Sequence, residues 1–255
     1  MIFFLTPLVA ERSVSNWELT CELLKQTLGS LENQSAPDFQ SIVCCHDIPD
    51  FAANLDERFQ FIEHPFAPPE DARTISTKDS GLWDMMLKRD VALYRANPDP
   101  DDFVILLDAD DLVHRSVVEE IAPLIEFDGI LMNNGYELCH KWRRLIRRNN
   151  MVSRSGTSFA LSGRIIRPPI SLEEPDLTNT LYHSVWHSNV IQYLEDGSHA
   201  HKYLDGERVI YRTNTTLNHS DCYRRGALIR SAKHRLKFLL GRPVSKRDLA
   251  NFGEF

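Results

Sequence analysis

The chain has 255 residues and a formal net charge of −7. That length suits one large α/β domain or two small ones. The negative balance excludes a protein that holds nucleic acid through its overall charge.

Cys21, Cys44, Cys45, Cys139 and Cys222 show no CxxC spacing, so they read as reduced thiols of a cytosolic protein. The opening MIFFLTPLVAER lacks the leading basic residues of a signal peptide and is broken by Thr6 and Pro7; it reads as a first buried strand over Ile2 to Leu5. No run approaches the ~20 apolar residues that cross a bilayer.

A helix follows, capped by Ser13 or Ser15, with Trp17, Cys21, Leu24, Leu28 and Leu31 on one face. Ser41 to Cys45 and Phe59 to Ile62 read as the second and third strands, the latter leading into a proline-rich loop. A second helix begins near Lys78 or Asp79, carries Leu82, Met85, Met86 and Leu93, and stops at Asn97-Pro98. This strand–helix alternation predicts a parallel sheet with right-handed crossovers.

Phe103 to Asp111, FVILLDADD, is the stretch on which the rest turns. Five apolar residues form a strand buried on both faces. The run ends in Asp108, Asp110 and Asp111. Ligands of open α/β sheets sit outside the carboxyl ends of the strands. Side chains two apart on an extended chain point the same way, so Asp108 and Asp110 can share one object. Two facing carboxylates call for a cation between them, and Mg²⁺ or Mn²⁺ prefers such oxygen ligands. Asp111 could instead cap the next helix.

Beyond it, Ser116 is placed to cap a helix bearing Val117, Ile121, Leu124 and Ile125, and Ile130 to Asn133 reads as a strand. The basic cluster Lys141, Arg143, Arg144, Arg147 and Arg148 reads as a solvated helix face, with a contact surface for an anionic acceptor as the alternative. Asp176 to Tyr193 reads as a helix, which sets His183 and His187 at i, i+4 on one face. Without HExxH or a nearby cysteine, zinc ranks there below plain structural use. Arg208 to Arg212 is a strand, and the last 35 residues read as a basic helical tail.

The stretch LDADD at the end of a buried strand resembles the DxD motif of GT-A glycosyltransferases of the family-2-like kind. The resemblance implies an α/β, Rossmann-like, mostly parallel central sheet flanked by helices, followed by the helical tail. It divides the chain into a GT-A domain over 1–220, with a nucleotide-sugar-binding half (1–115) and an acceptor half (116–220), and a tail over 221–255. By resemblance Asp108 faces the ribose or the metal, Asp110 binds Mn²⁺ or Mg²⁺ directly, and His219 completes the metal site. Thr6, Pro7 and Asp47 meet the nucleoside, and Lys78, Asp79 and Arg89 approach the ribose or diphosphate. Glu174 and Asp176 are the candidates for the base that an inverting enzyme needs, with stabilisation of a helix N-terminus as the alternative.

The implied activity is transfer of a sugar from a nucleotide-sugar donor, UDP-linked by preference, to a glycan or other hydroxyl acceptor. Two other readings stand beside it: a GT-A-like binding or scaffold protein without turnover, and a sugar-nucleotide nucleotidyltransferase. The latter normally carries a glycine-rich loop after strand one, where this chain has TPLVAERS. The basic tail fits peripheral docking on an anionic membrane face; the alternative is packing on its own domain or a second subunit.

Overall fold

A computed structural model describes residues 1–68, 78–213, 215 and 238–253, with the backbone alone at 78–80, 174 and 175. In chain order the described elements are β1 (Ile2–Pro7), α1 (Trp17–Glu32), β2 (Phe39–Cys45), β3 (Phe59–Glu63), α2 (Lys78–Ala96), β4 (Phe103–Leu106), β5 (Leu112–Val113), α3 (Val117–Ile121), β6 (Gly129–Leu131), β7 (Gly135–Cys139), β8 (Arg144–Arg148), β9 (Phe159–Ser162), α4 (Glu174–Leu177), α5 (Val190–Asp196), β10 (His201–Tyr203), β11 (Val209–Thr213), β12 (Arg242–Pro243) and α6 (Lys246–Leu249).

Seven strands form the main sheet in the order β10-β6-β9-β4-β1-β2-β3. The β4-β1-β2-β3 half is parallel throughout, and β9 runs antiparallel between β4 and β6. Alternation along each strand sends its residues to two faces. Ile2, Phe4, Val43, Phe103 and Ile105 pack under α1 and α3 with Leu24, Leu28, Val117 and Ile121. Phe3, Leu5, Ile42, Val104 and Leu106 pack on the opposite face with Leu87 and Val91 of α2 and Val190 and Leu194 of α5. Apolar burial on both faces is why the β4 sequence is continuously hydrophobic.

A second sheet, β12-β8-β7-β11-β5, stands beside the first. Its own core contains Leu112, Leu138, Leu145 and Ile210, closed by Leu249 and Phe252 near the end of the chain. Among the described residues no helix is long and apolar enough to cross a membrane.

Several elements differ from expectation. Asn16, not Ser13 or Ser15, caps α1, accepting from Leu19 N–H at 2.9 Å. The buried face of α1 includes Thr20, Thr27 and Ser30 beside its leucines, while Trp17 and Cys21 lie only half-buried. Helix α3 ends at Ile121, just ahead of Pro123, which has no N–H to continue the helical ladder, so Leu124 and Ile125 lie beyond it. The basic cluster is no helix face. It forms the turn and second strand of the β7–β8 hairpin, with Arg143 at φ 48° in the turn.

The helix expected over Asp176 to Tyr193 breaks into α4, a 3-10 turn at Leu181–His183 and α5. Tertiary bonds override its periodicity. Thr180 Oγ1 and His183 Nε2 both bond to Asp90 on α2, and Asn189 Oδ1 accepts from Trp186 N–H. His183 and His187 therefore do not share a helix face.

Candidate active site

The Asp108–Asp111 segment leaves the carboxyl end of β4 in a tight turn, closed by Asp111 N–H to Asp108 C=O at 3.0 Å. Polar groups on α1 hold it from below. Thr27 Oγ1 donates to the Ala109 carbonyl at 3.0 Å, and Ser30 Oγ accepts from Val113 N–H at 3.2 Å. From the side, Thr157 Oγ1 accepts from Asp108 N–H at 3.1 Å and donates to Asp111 Oδ2 at 2.8 Å.

The three carboxylates have different surroundings. Asp108 is partly exposed and pairs with Arg89 Nη2 at 3.0 Å. Asp110 is buried, and Thr215 Oγ1 donates to its Oδ2 at 2.7 Å. Burial, followed by the charge of Asp108, pushes the Asp110 carboxyl up to about 7. Asp111 is fully buried and accepts from Ser155 Oγ at 2.6 Å, Thr157 Oγ1 and Arg212 N–H. Burial, with Asp108 and Asp110 nearby, pushes it well above the usual carboxylate range. Asp111 therefore caps no helix; it ties β4 to the Ser155–Thr157 turn and to β11. Arg212, likewise buried, is the nearby countercharge, and desolvation pushes its guanidinium down to about 10. A divalent cation fits the Asp108–Asp110 end of this set. Its donors are hard oxygens, and a cation would offset both the burial and the charge of Asp108 that raise Asp110.

Around this centre the other predicted residues take varied places. Thr6 and Pro7 complete β1 instead of following it, and Thr6 Oγ1 is buried without a hydrogen-bond partner. Asp47 follows β2 and accepts from Glu11 N–H at 2.8 Å. It borders an open cavity of about 850 Å³ that also touches Glu11, Glu18, Glu22 and Asp50. That lining is acidic and does not include Asp108, so the cavity suits no diphosphate. Lys78 and Asp79 open α2 and Glu174 opens α4, but their side chains lie outside the described residues, as does His219. Asp176 accepts from Ser171 Oγ at 2.6 Å on α4, which packs against α2.

Lys88 and Arg89 of α2 are both buried. Arg89 joins Asp108; Lys88 Nζ donates to the Leu8 carbonyl at 2.8 Å and to Asp84 Oδ2 at 2.7 Å. Asp84 Oδ1 lies 2.7 Å from His46 Nε2, and the His46 ring meets His64 edge-on at 4.9 Å. Burial pushes His64 down to about 4, so its ring is neutral at physiological pH. His187 stands in the field of Asp108 and Arg89, with its pKa lowered chiefly by burial.

Sequence reasoning missed the Thr27, Ser155 and Thr157 supports.

TarS from S. aureus, residues 1–349 in complex with UDP, superposes with a TM-score of 0.51 at 12% identity, over 83% of this chain and 60% of that chain. The fold is GT-A-like. The same TarS fragment with UDP-GlcNAc gives a TM-score of 0.48 at 13% identity, over 84% of this chain and 58% of that one. The inositol-1-phosphate CTP transferase from T. maritima gives 0.41 at 14% identity, over 87% and 93%. At these identities the likeness is one of fold, and the chain spans about 60% of the TarS fragment it matches. No protein-family model matches the sequence, and neither does any curated protein. In the GT-A-like frame, Asp108 and Asp110 stand at the carboxyl end of β4, next to β1 in the parallel half of the sheet.

Proposed function

We propose that this chain is a metal-dependent glycosyltransferase that moves a sugar from a UDP-sugar to a hydroxyl acceptor in glycan or polysaccharide synthesis. The observation that carries the reading is the Asp108–Asp110 pair at the end of β4. It combines a partly exposed carboxylate with a buried neighbour raised to about 7. Asp108 and Asp110 would hold Mn²⁺ or Mg²⁺, with His219 as the third ligand. The cation would supply neutralisation of the charge that develops on a diphosphate leaving group.

Arg89, paired with Asp108 within the fold, positions that carboxylate and would meet the donor's phosphates. Thr6, Pro7 and Asp47 would meet the nucleoside, and Lys78 and Asp79 the ribose or diphosphate. In the acceptor half, Glu174 and Asp176 are the candidates to take the acceptor's proton. The donor half is 1–115, the acceptor half 116–220 and the tail 221–255. UDP as the donor nucleotide follows the UDP complex of TarS, which lends support through fold alone.

The test is thermal stability of wild type and Asp110→Asn with UDP, GDP, CDP and dTDP, each with and without Mn²⁺. A ligand that binds only the folded state raises its stability by mass action. The expected result is a rise with UDP that requires both Mn²⁺ and Asp110. No rise with any nucleotide would overturn the reading and leave a GT-A-like protein without donor binding.

A further inference from the structure

Away from the Asp108–Asp110 pair, three potential ligands meet where β2, β3 and α2 converge. His46 follows β2. His64 follows β3, its N–H donating to the Cys45 carbonyl at 2.8 Å. Asp84 lies on α2. One ligand atom from each falls within 4.8 Å of the others.

The hydrogen bonds around them have a definite chemistry. The Phe66 carbonyl lies 3.3 Å from His64 Nδ1. A carbonyl only accepts, so Nδ1 carries the proton and Nε2 keeps a lone pair. That Nε2 is buried and has no hydrogen-bond partner. A buried polar atom left in this state carries a desolvation cost that a ligand would remove. An imidazole whose second nitrogen donates to a carbonyl is also the usual arrangement behind a metal-bound histidine. On the carboxylate side, Lys88 donates to Asp84 Oδ2, while Oδ1 accepts from His46 Nε2–H at 2.7 Å.

We propose that His46, His64 and Asp84 form a second cation site, for a borderline metal of the zinc class, distinct from the carboxylate pair at the end of β4. The metal takes the place of the proton between His46 and Asp84, which passes through solvent to His46 Nδ1, and gains the lone pair of His64, with solvent as the fourth ligand. Ligand atoms around tetrahedral zinc stand ~3.3 Å apart, given bonds of ~2.0–2.1 Å. The site therefore closes through side-chain rotation when it fills. Lys88 already balances Asp84, so the imidazoles dominate the affinity, which favours Zn²⁺ over Mg²⁺ or Mn²⁺. The bound ion would pin β2, β3 and α2 together at the ligand-facing edge of the sheet. None of this depends on the donor nucleotide proposed above.

The experiment uses the full chain, stripped with a chelator and titrated with Co²⁺, then Zn²⁺. Wild type, Asp110→Asn, His46→Gln and His64→Gln are compared, with folding checked by circular dichroism. Wild type and Asp110→Asn are expected to bind Co²⁺ with the visible absorption of a nitrogen-ligated ion, which Zn²⁺ then displaces. His46→Gln and His64→Gln should bind at least about tenfold more weakly. Binding that survives in folded His64→Gln but disappears in Asp110→Asn would assign the ion to the β4 carboxylates and overturn the site. If the histidine variants do not fold, wild type still decides, because wild type without a Co²⁺ spectrum overturns the proposal by itself.

Discussion

Asp111 shows how one buried carboxylate can organise the turn that carries its acidic neighbours. Its two oxygens take hydrogen bonds from Ser155, Thr157 and the backbone of Arg212, all buried. Asp111→Ala would leave these donors unmet in a cavity and should cost about 3 kcal/mol or more, since each unsatisfied buried donor costs roughly 1–3 kcal/mol. Asp111→Asn keeps the shape and one acceptor oxygen. Because burial and two neighbouring carboxylates already disfavour the charge at Asp111, the amide should cost less than half as much as alanine. Urea unfolding of the two variants checks this. Equal losses would mean that the negative charge itself, and not the acceptor geometry, holds the turn.

At the scale of elements, α1 does two jobs. Its leucines cover one face of the sheet, while Thr27 and Ser30 reach the segment that carries the acidic residues. Its start is set by Asn16, whose side chain accepts from Leu19 N–H. Asn16→Ala should therefore destabilise the protein by ~1 kcal/mol, the usual cost of a lost N-cap. Ser13→Ala and Ser15→Ala should change it by no more than about 0.5 kcal/mol, the usual range for surface positions without such a role. Thermal unfolding at fixed pH separates these outcomes, and a larger loss at Ser15 would move the cap.

For the whole molecule, half-buried histidines set an acid limit. Burial lowers His114, helped by Arg208, and His140, helped by Arg212 and Arg143. Below the ordinary histidine pKa of ~6.5 the unfolded chain takes up protons that the folded chain resists. At these two sites the unfolded state then binds more protons, so their contribution to stability falls as pH drops from about 6.5 towards the lowered folded values and levels off above it. The raised carboxyls of Asp110 and Asp111 act with the opposite sign over the same range, so the histidine contribution is read as a difference. In urea unfolding between pH 5 and 8, with chelator, wild type should lose stability relative to His114→Gln as pH drops; a difference that does not change with pH would overturn this.

The sequence by itself determined the parallel half of the sheet. Continuous apolar runs at β1, β2 and β4, separated by the periodic faces of α1 and α2, leave few other ways to bury them. It also placed Asp108 and Asp110 at a strand's carboxyl end, because alternation and the end of the apolar run are both local properties. Only the tertiary structure decided what surrounds that pair. Thr27, Thr157, Arg89 and Arg212 lie far from the pair in the chain, and a serine or threonine on a helix face or in a loop carries no local sign of its distant partner. The same holds where expectation failed. The helical pattern over Asp176 to Tyr193 gave way to bonds with Asp90, and the basic cluster folded as a hairpin whose Arg148 pairs with buried Glu137 at 2.7 Å. In both places a partner remote in sequence outweighs intrinsic propensity, which amounts to at most a few tenths of a kcal/mol per residue for most side chains.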